Sequence, residues 1–318
     1  MNVVEEVRAA EERIRAHVRE TPLEASPAFA GPAAELLLKL ENQQLTGSFK
    51  VRGALSKLLS LTPEERGRGV VAASSGNHGA GVAYGMRVLG CGGLVFVPEG
   101  ADPDKIARIR ALGAEVVVHG TDCALTEAHA RRHASEHGLV YISPYNDPAV
   151  VGGQGTIGVE LARQTGPGNR IDVVFVALGG GGLISGIAGW LKARDPAIEL
   201  VGCSPEASPI MAESLRAGRI VFRDSLPTLS DGTAGGIEEG AITFDLCREL
   251  VDRTVLVSEE EIAAAMRLTV RHHGMLIEGA AGCALAAWLK EREDHAKKRV
   301  VVVLCGANVS PETLKNVL

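Results

Sequence analysis

Three short segments of this 318-residue chain carry groups that could do chemistry together. Residues 48–53 read Ser-Phe-Lys-Val-Arg-Gly and supply an amine. Residues 74–79 read Ser-Ser-Gly-Asn-His-Gly and form a polar loop, and residues 179–183 are four glycines followed by leucine. An amine can bond a carbonyl carbon, and a glycine-rich turn can present backbone N–H groups to a phosphate. The three segments predict a site for a phosphorylated compound that reacts with Lys50.

Lys50 needs its setting to count as a functional residue, because a single lysine at a helix start is usually solvated. The following apolar residues Val51, Ala54 and Leu58 predict an amphipathic helix that begins near Lys50. The positive end of the helix dipole disfavours the ammonium form of a nearby lysine. The position therefore favours an amine that reacts as a free base.

The polar loop follows a predicted strand and precedes a predicted helix, an arrangement that exposes backbone N–H groups to an anion. We expect Ser75 and Asn77 to add side-chain donors for a substrate carboxylate and a cofactor hydroxyl. A capped βα turn without any ligand explains the same serines and asparagine equally well.

The glycine run comes directly after a predicted strand and before a predicted helix. Consecutive glycines are costly in chain entropy, which suggests close approach of the backbone to a ligand. The run lacks the Lys-Ser/Thr of a nucleotide-binding P-loop. Residues 179–186 can be aligned with a dinucleotide fingerprint, so a nicotinamide-dependent oxidoreductase is an alternative, but the mid-chain position is atypical. A single phosphate at a helix N-terminus is the simpler interpretation.

Short β-branched runs alternate with helical patterns along the whole chain, which predicts α/β architecture with mostly parallel sheets. A cluster of Pro and Gly places a boundary between two such units near residues 144–153. The segment 204–240 is expected to be irregular and to lie over the site. Cys305 follows the last predicted strand, at the edge where open α/β sheets bind ligands, although a small buried core residue would also explain it.

Composition excludes several classes of protein. The net charge of −6, without a dense Lys/Arg tract, disfavours nucleic acid and anionic membranes as partners. An aromatic content of 3% disfavours base-stacking platforms. The six cysteines form no CxxC pair and fit reduced thiols in the cytoplasm. The histidines are not expected to form a metal site.

An amine, a polar loop and a phosphate cradle suit pyridoxal 5′-phosphate, and the motifs support this cofactor further. The pair Ser-Phe-Lys-x-Arg-Gly and Ser-Ser-Gly-Asn-His-Gly resembles the serine/threonine dehydratase and serine racemase group of the tryptophan-synthase-β fold. The resemblance implies two open α/β domains with the cofactor in the cleft between them, the arrangement called fold type II. We predict a large domain of residues 1–60 and 147–318, with Lys50 and the glycines, and a small domain of residues 61–146.

The same resemblance implies roles for individual residues. Lys50 would bond the cofactor aldehyde beside Phe49, Asn77 would bind the ring hydroxyl, and Cys305 would face the pyridine nitrogen, with Glu278 near that side. The phosphate would bind Gly179, Gly180, Gly181, Gly182 and Leu183. The substrate would contact Ser74, Ser75, Gly76, Asn77, His78, Tyr145 and Gly235.

The implied reaction is elimination of water from L-threonine or L-serine, giving a 2-oxo acid and ammonia. Ser75 stands where racemases of the group place an acid/base opposite the lysine, so a racemase or dehydratase of serine or hydroxyaspartate is an alternative. Glycines at 235 and 236 are expected to leave room for a larger substituent. The carboxylates that bind a divalent ion in serine racemase are not clearly kept near Glu206, so no metal ligand is predicted. A homodimer is expected from the group.

Overall fold

The computed structural model describes residues 1–31, 34–166 and 168–318 and contains ten strands and thirteen α-helices within those ranges. The strands are short, β-branched and mostly buried, as expected for parallel sheets covered on both faces. Their bounds are β1 Leu23–Ala25, β2 Glu35–Lys39, β3 Val70–Ala73, β4 Gly93–Val97, β5 Glu115–Val118, β6 Val140–Tyr141, β7 Val173–Ala177, β8 Glu199–Pro205, β9 Arg253–Val257 and β10 Arg299–Val303.

The strands form two sheets. The larger has the order β1-β2-β10-β7-β8-β9 and is parallel except for the antiparallel β1–β2 pair. The smaller has the order β5-β4-β3-β6 and is parallel throughout. The expected α/β class with parallel sheets is therefore confirmed. The domain limits at residues 60 and 147 stay a prediction, because strand pairing does not define where a folding unit ends.

Helices connect successive parallel strands, as the crossover rule requires. Their bounds are α1 Val3–Ile14, α2 Lys50–Ser60, α3 Pro63–Arg68, α4 Asn77–Leu89, α5 Pro103–Ala111, α6 Cys123–His137, α7 Pro148–Gln164, α8 Gly182–Lys192, α9 Ile210–Ala217, α10 Ile242–Leu250, α11 Glu259–His273, α12 Gly279–Glu291 and α13 Pro311–Val317. The spacing of Ser258 and Glu261 predicts a capping box at the start of α11, and the structure contains it.

The segment 204–240 is less irregular than expected. It begins with the last residues of β8 and contains α9, whose buried face includes Ile210 and Met211. The prediction of an irregular segment was wrong there, because the Gly, Pro and Ser content hid an eight-residue helix between two loops. None of the helices in the described ranges is long and apolar enough to cross a membrane.

Close packing of α2 on α7 explains one glycine of the lysine motif. A Cβ on Gly53 would meet the side chains of Gln154 and Val150, and one on Gly153 would lie 2.6 Å from the carbonyl oxygen of Arg52. The two backbones can approach this closely only because both positions are glycine. This contact fixes the helix that begins with Lys50 against the larger sheet's helical layer.

Candidate active site

A cavity of about 750 Å³ lies where the strands of both sheets end. Such carboxyl ends are where open α/β sheets bind ligands. Every residue proposed for the site from the sequence lines this cavity. These residues are Phe49, Lys50, Ser74, Ser75, Gly76, Asn77, His78, Tyr145, Gly179, Gly180, Gly181, Gly182, Leu183, Gly235, Glu278 and Cys305.

Lys50 is held at the cavity by contacts of the two residues before it and of its own amine. The amide of Phe49 donates to the carbonyl of Cys305 at 3.0 Å, and Ser48 forms an isolated β-bridge with Gly306. The Lys50 amine donates to the carbonyl of Pro144 at 2.9 Å. Burial lowers the pKa of Lys50 to about 8, although the charge of nearby Glu278 partly opposes the shift. The amine is therefore much more easily deprotonated than an exposed lysine.

A buried ion-pair network anchors α2 two residues after Lys50. Arg52 is fully buried and pairs with Glu41 at 2.7 Å and with Glu160 at 2.8 Å. Lys39 also pairs with Glu160 at 2.6 Å. The sequence identified Arg52 as part of the Ser-Phe-Lys-x-Arg-Gly motif but did not indicate its partners. Its partners lie 11 and 108 residues away, so no local signal could reveal them.

The glycine run forms the expected turn between β7 and α8. Gly181 is the N-cap of α8 and has φ of 85°, a conformation that favours glycine. Within the described ranges, no protein acceptor is found for the amides of Gly179, Gly180 and Gly181. These amides and the helix N-terminus form a cradle that suits a phosphate.

Protein contacts also require these glycines, although the sequence pattern suggested a ligand alone. A Cβ on Gly180 would lie 2.5 Å from Cγ of Tyr145, and a Cβ on Gly179 would lie 2.8 Å from Cα of Thr233. The expectation was incomplete, because a turn this tight brings neighbouring loops as close to the backbone as a ligand would.

Asn77 and Glu278 meet at the other side of the cavity. The Asn77 side-chain nitrogen donates to both carboxylate oxygens of Glu278, at 2.9 and 2.8 Å. The backbone amide of Asn308 also donates to this carboxylate, at 3.2 Å. Burial raises the pKa of Glu278 to about 7, and nearby Asp231 adds to the rise while the Asn77 hydrogen bond opposes it. Asn308 received no role from the sequence, although it lies only three residues after Cys305.

Cys305 lies on the same side, with Sγ 3.9 Å from Oε1 of Glu278. Burial and the neighbouring Glu278 raise the pKa of the Cys305 thiol far above its usual value. The side chain is thus a neutral, weak donor.

The expected substrate residues differ in how their side chains are used. His78 lines the cavity, but its Nε2 lies 2.8 Å from the carbonyl oxygen of Ile142, and burial lowers its pKa to about 3. The Tyr145 hydroxyl accepts from the amide of Glu238 at 3.0 Å. Gly235 has φ of 113°, so backbone conformation explains this glycine. A Cβ there would meet open space, so the extra room does not depend on Gly235.

Charged residues at the rim of the cavity are paired across it. Lys105 contacts Asp231 at 2.8 Å, and Arg131 contacts Glu238 at 2.9 Å. Arg108 donates to the Asn308 side chain. These contacts could not be anticipated from the sequence, because the partners are distant from one another along the chain.

Three histidines of α6 recur every fourth residue, at 129, 133 and 137, and so share one face of the helix. The rings of His133 and His137 stack with centroids 4.1 Å apart. In the part of the chain that the structure describes, no group of three or more potential ligands is placed to hold a metal ion.

Comparison with known proteins identifies the family. The family described as "Pyridoxal-phosphate dependent enzyme" matches residues 14–306. The chain belongs to this family. It is 38% identical to an L-threonine ammonia-lyase from Thermotoga maritima, over 100% of this chain and 78% of that protein. The processed form of threonine deaminase isoform 2 from Solanum lycopersicum is 33% identical with a TM-score of 0.93, over 99% of this chain and 92% of that one. Maize serine racemase is 30% identical with a TM-score of 0.91, over 98% and 95%.

The expected cofactor, fold type II and lyase class are therefore confirmed. The match supports a lyase rather than the nicotinamide-dependent oxidoreductase that was the alternative interpretation of residues 179–186. The residues present also fit the cofactor on physical grounds: an enclosed amine with a lowered pKa, amides without protein acceptors at a helix N-terminus in the described ranges, and a neutral thiol line one cavity.

Proposed function

We propose that this enzyme eliminates water from L-threonine, and less readily from L-serine, to give a 2-oxo acid and ammonia. The observation that carries the proposal is the enclosed Lys50 amine, whose pKa is about 8 and which lies in the same cavity as the glycine cradle and Asn77. The relatives named as threonine ammonia-lyase and threonine deaminase support this substrate.

Different residues would hold different groups of the cofactor. We assign Lys50 to the aldehyde, Asn77 to the ring hydroxyl, Cys305 to the ring nitrogen and the amides of residues 179–183 to the phosphate. When bound, pyridoxal phosphate withdraws electrons from the substrate α-carbon and so makes its proton acidic. Cys305 donates only weakly, so it would leave the ring nitrogen largely unprotonated. A weak donor at this position would favour loss of the β-hydroxyl over competing reactions of the bound substrate.

Lys50 is the proposed base. An amine with pKa about 8 is neutral in a substantial fraction of molecules near pH 8. Neutral Lys50 can accept the α-proton, as general base catalysis requires. Its contacts to Pro144 and to the neighbouring strand end restrict where the amine can lie.

The substrate carboxylate is assigned to the loop 74–78 at the start of α4. A second carboxylate on the substrate would need a cation. At the rim, Lys105 and Arg131 are already paired with protein carboxylates, and Arg108 already donates to the Asn308 side chain and to the carbonyl of Thr46. Their pairing favours threonine and serine over hydroxyaspartate.

Racemisation is a second candidate, because Ser75 lines the cavity and maize serine racemase is 30% identical. We further propose a cytoplasmic homodimer, with the domain limits given above. Light scattering of the purified protein tests the oligomeric state.

The test is to supply purified holoenzyme with L-threonine, L-serine and threo-3-hydroxyaspartate separately, and to follow 2-oxo acid and D-amino acid together. We expect 2-oxo acid from threonine above serine, and little from hydroxyaspartate. D-amino acid without 2-oxo acid would replace the lyase by the racemase. A yellow protein that acts on none of the three would refute the proposed substrates.

A further inference from the structure

Arg108 reaches across the cavity rim to two acceptors on the other side. It lies on α5, beside the smaller sheet, and its guanidinium donates through Nη1 to Oδ1 of Asn308. Through Nη2 it donates to the carbonyl oxygen of Thr46 at 3.0 Å. Neither contact belongs to the sequence motifs of the site.

The guanidinium decides which way the Asn308 amide faces. Arginine has only donors, so the oxygen of Asn308 must point toward Arg108. The Asn308 nitrogen then donates to the carbonyl of Thr46 at 2.8 Å and to Oδ1 of Asn77 at 2.6 Å. Because Asn77 accepts there, its own nitrogen faces Glu278, at 2.9 and 2.8 Å from the two carboxylate oxygens.

The backbone at Thr46 supports this direction. Thr46 has φ of 63°, which is rare for a β-branched residue. Its carbonyl receives hydrogen bonds from both Arg108 and Asn308. Strained backbone of this kind persists where the surrounding contacts determine it.

Reversing the amides of Asn77 and Asn308 would replace two hydrogen bonds by unfavourable contacts. If Glu278 were protonated and donated to Asn77, the Asn77 amide would be reversed and would reverse Asn308 in turn. The Asn308 nitrogen would then face the Arg108 guanidinium, donor against donor. Its oxygen would face the carbonyl of Thr46, acceptor against acceptor.

We propose that Arg108 is a positioning residue that sets the direction of the hydrogen-bond chain from Arg108 through Asn308 and Asn77 to Glu278, and so favours the carboxylate form of Glu278. The proposal rests on the proposed function only in placing Asn77 beside the cofactor ring. An arginine on the far side of the rim thereby affects the charge state of a buried acid in the site.

The charges that face Glu278 come from several elements. Lys105 on α5 and Lys50 on α2 attract its charge, Asp231 repels it, and Cys305 lies beside it as a neutral thiol. Burial is the largest cause that raises the pKa of Glu278 to about 7. Glu278 therefore gains or loses its proton near neutral pH. A change of hydrogen-bond direction therefore has a measurable effect on it.

The test is pH-difference infrared spectroscopy of the holoenzyme, with the protonated carboxyl band assigned by its loss in Glu278→Gln. Arg108→Gln replaces an obligatory donor by an amide that can donate or accept. We expect the Glu278 midpoint to rise by about one pH unit, since a hydrogen bond to a charged group is worth roughly one to two such units directly and less through two amides.

Two controls separate direction from charge. Arg110→Gln removes the same charge from the same helix, and the Arg110 side chain makes no hydrogen bond or ion pair among the described residues; we expect its midpoint and activity to be unchanged. In an Asn308→Ala background, adding Arg108→Gln should produce no further shift, because the relay is already broken while the backbone amide of residue 308 remains.

An unchanged midpoint in folded Arg108→Gln would overturn the proposal. So would an equal shift in Arg110→Gln, or a full further shift in the Asn308→Ala background, since both would show an effect of charge alone. The infrared midpoint needs no substrate. An enzyme that is silent toward threonine and serine but shows the shift would refute the proposed function and leave this inference standing.

Discussion

Replacing Glu278 by glutamine should remove a pH-dependent penalty on folding. Glu278 is only 3% exposed, and its pKa is raised from 4.5 to about 7. Between these pH values the folded protein holds a proton that the unfolded chain has lost, so stability falls as pH rises. The shift is about 2.5 units, and at ~1.4 kcal/mol per unit the loss is at most about 3 to 4 kcal/mol.

Other buried groups also make stability depend on pH, so the wild type must be compared with the Glu278→Gln variant. The pKa of His78 is lowered from 6.5 to about 3, so its contribution to stability rises with pH over part of the same window. The pKa of Lys50 is lowered from 10.5 to about 8, so its contribution changes only above about pH 8. Both groups are present in wild type and variant. The difference between the two proteins therefore reports chiefly on Glu278, with a smaller contribution near pH 8 from Lys50, whose pKa the Glu278 charge raises.

The assay is urea unfolding of the cofactor-free wild type and Glu278→Gln proteins at steps of about half a unit from roughly pH 4.5 to pH 8. We expect the stability of wild type relative to the variant to fall by about 3 kcal/mol, or less if the site relaxes, and to level off above about pH 7. Lys105→Gln should increase the total loss of stability, because Lys105 attracts the Glu278 charge and its removal raises the pKa of Glu278 further. A constant difference across the range would refute a raised pKa at Glu278 and the reasoning from burial.

Four further predictions follow from the site and its supports. Lys50→Ala should abolish 2-oxo acid formation, and borohydride should no longer attach the cofactor to the protein; appreciable turnover would contradict Lys50 as the base. Ser75→Ala should spare threonine elimination but remove any D-amino acid, whereas equal loss of both would assign Ser75 to substrate binding. Glu160→Gln should destabilise the protein by about 3–5 kcal/mol in urea unfolding, since it leaves buried Arg52 and Lys39 short of a partner, and a loss below about 1 kcal/mol would contradict this. Gly180→Ala should weaken cofactor binding and lower the free energy of unfolding by about 1–3 kcal/mol, because the added methyl group would contact the Tyr145 ring. Cofactor titration and urea unfolding measure the two effects, and unchanged values would show that the loop relaxes freely.

The sequence by itself determined the class of fold and the main chemical groups. Buried β-branched runs alternating with helical patterns require parallel sheets, whatever the tertiary details. Lys50, the loop around Asn77 and the glycines at 179–182 each follow or precede a predictable element, so local pattern sufficed to find them. Residue type also sufficed for Cys305, because a neutral thiol is a weak donor in any setting.

Only the tertiary structure decided how these groups are tuned. The pKa values of Lys50 and Glu278 depend on burial and on neighbours that are distant in sequence. The same holds for the anchoring of Arg52 by Glu160, 108 residues away. The amide of Asn77 has no preferred direction in a sequence. Its direction is set through Asn308 by Arg108, which contacts Asn308 across 200 residues of chain. Hydrogen-bond direction and desolvation are properties of groups brought together, so they appear only once the chain has folded.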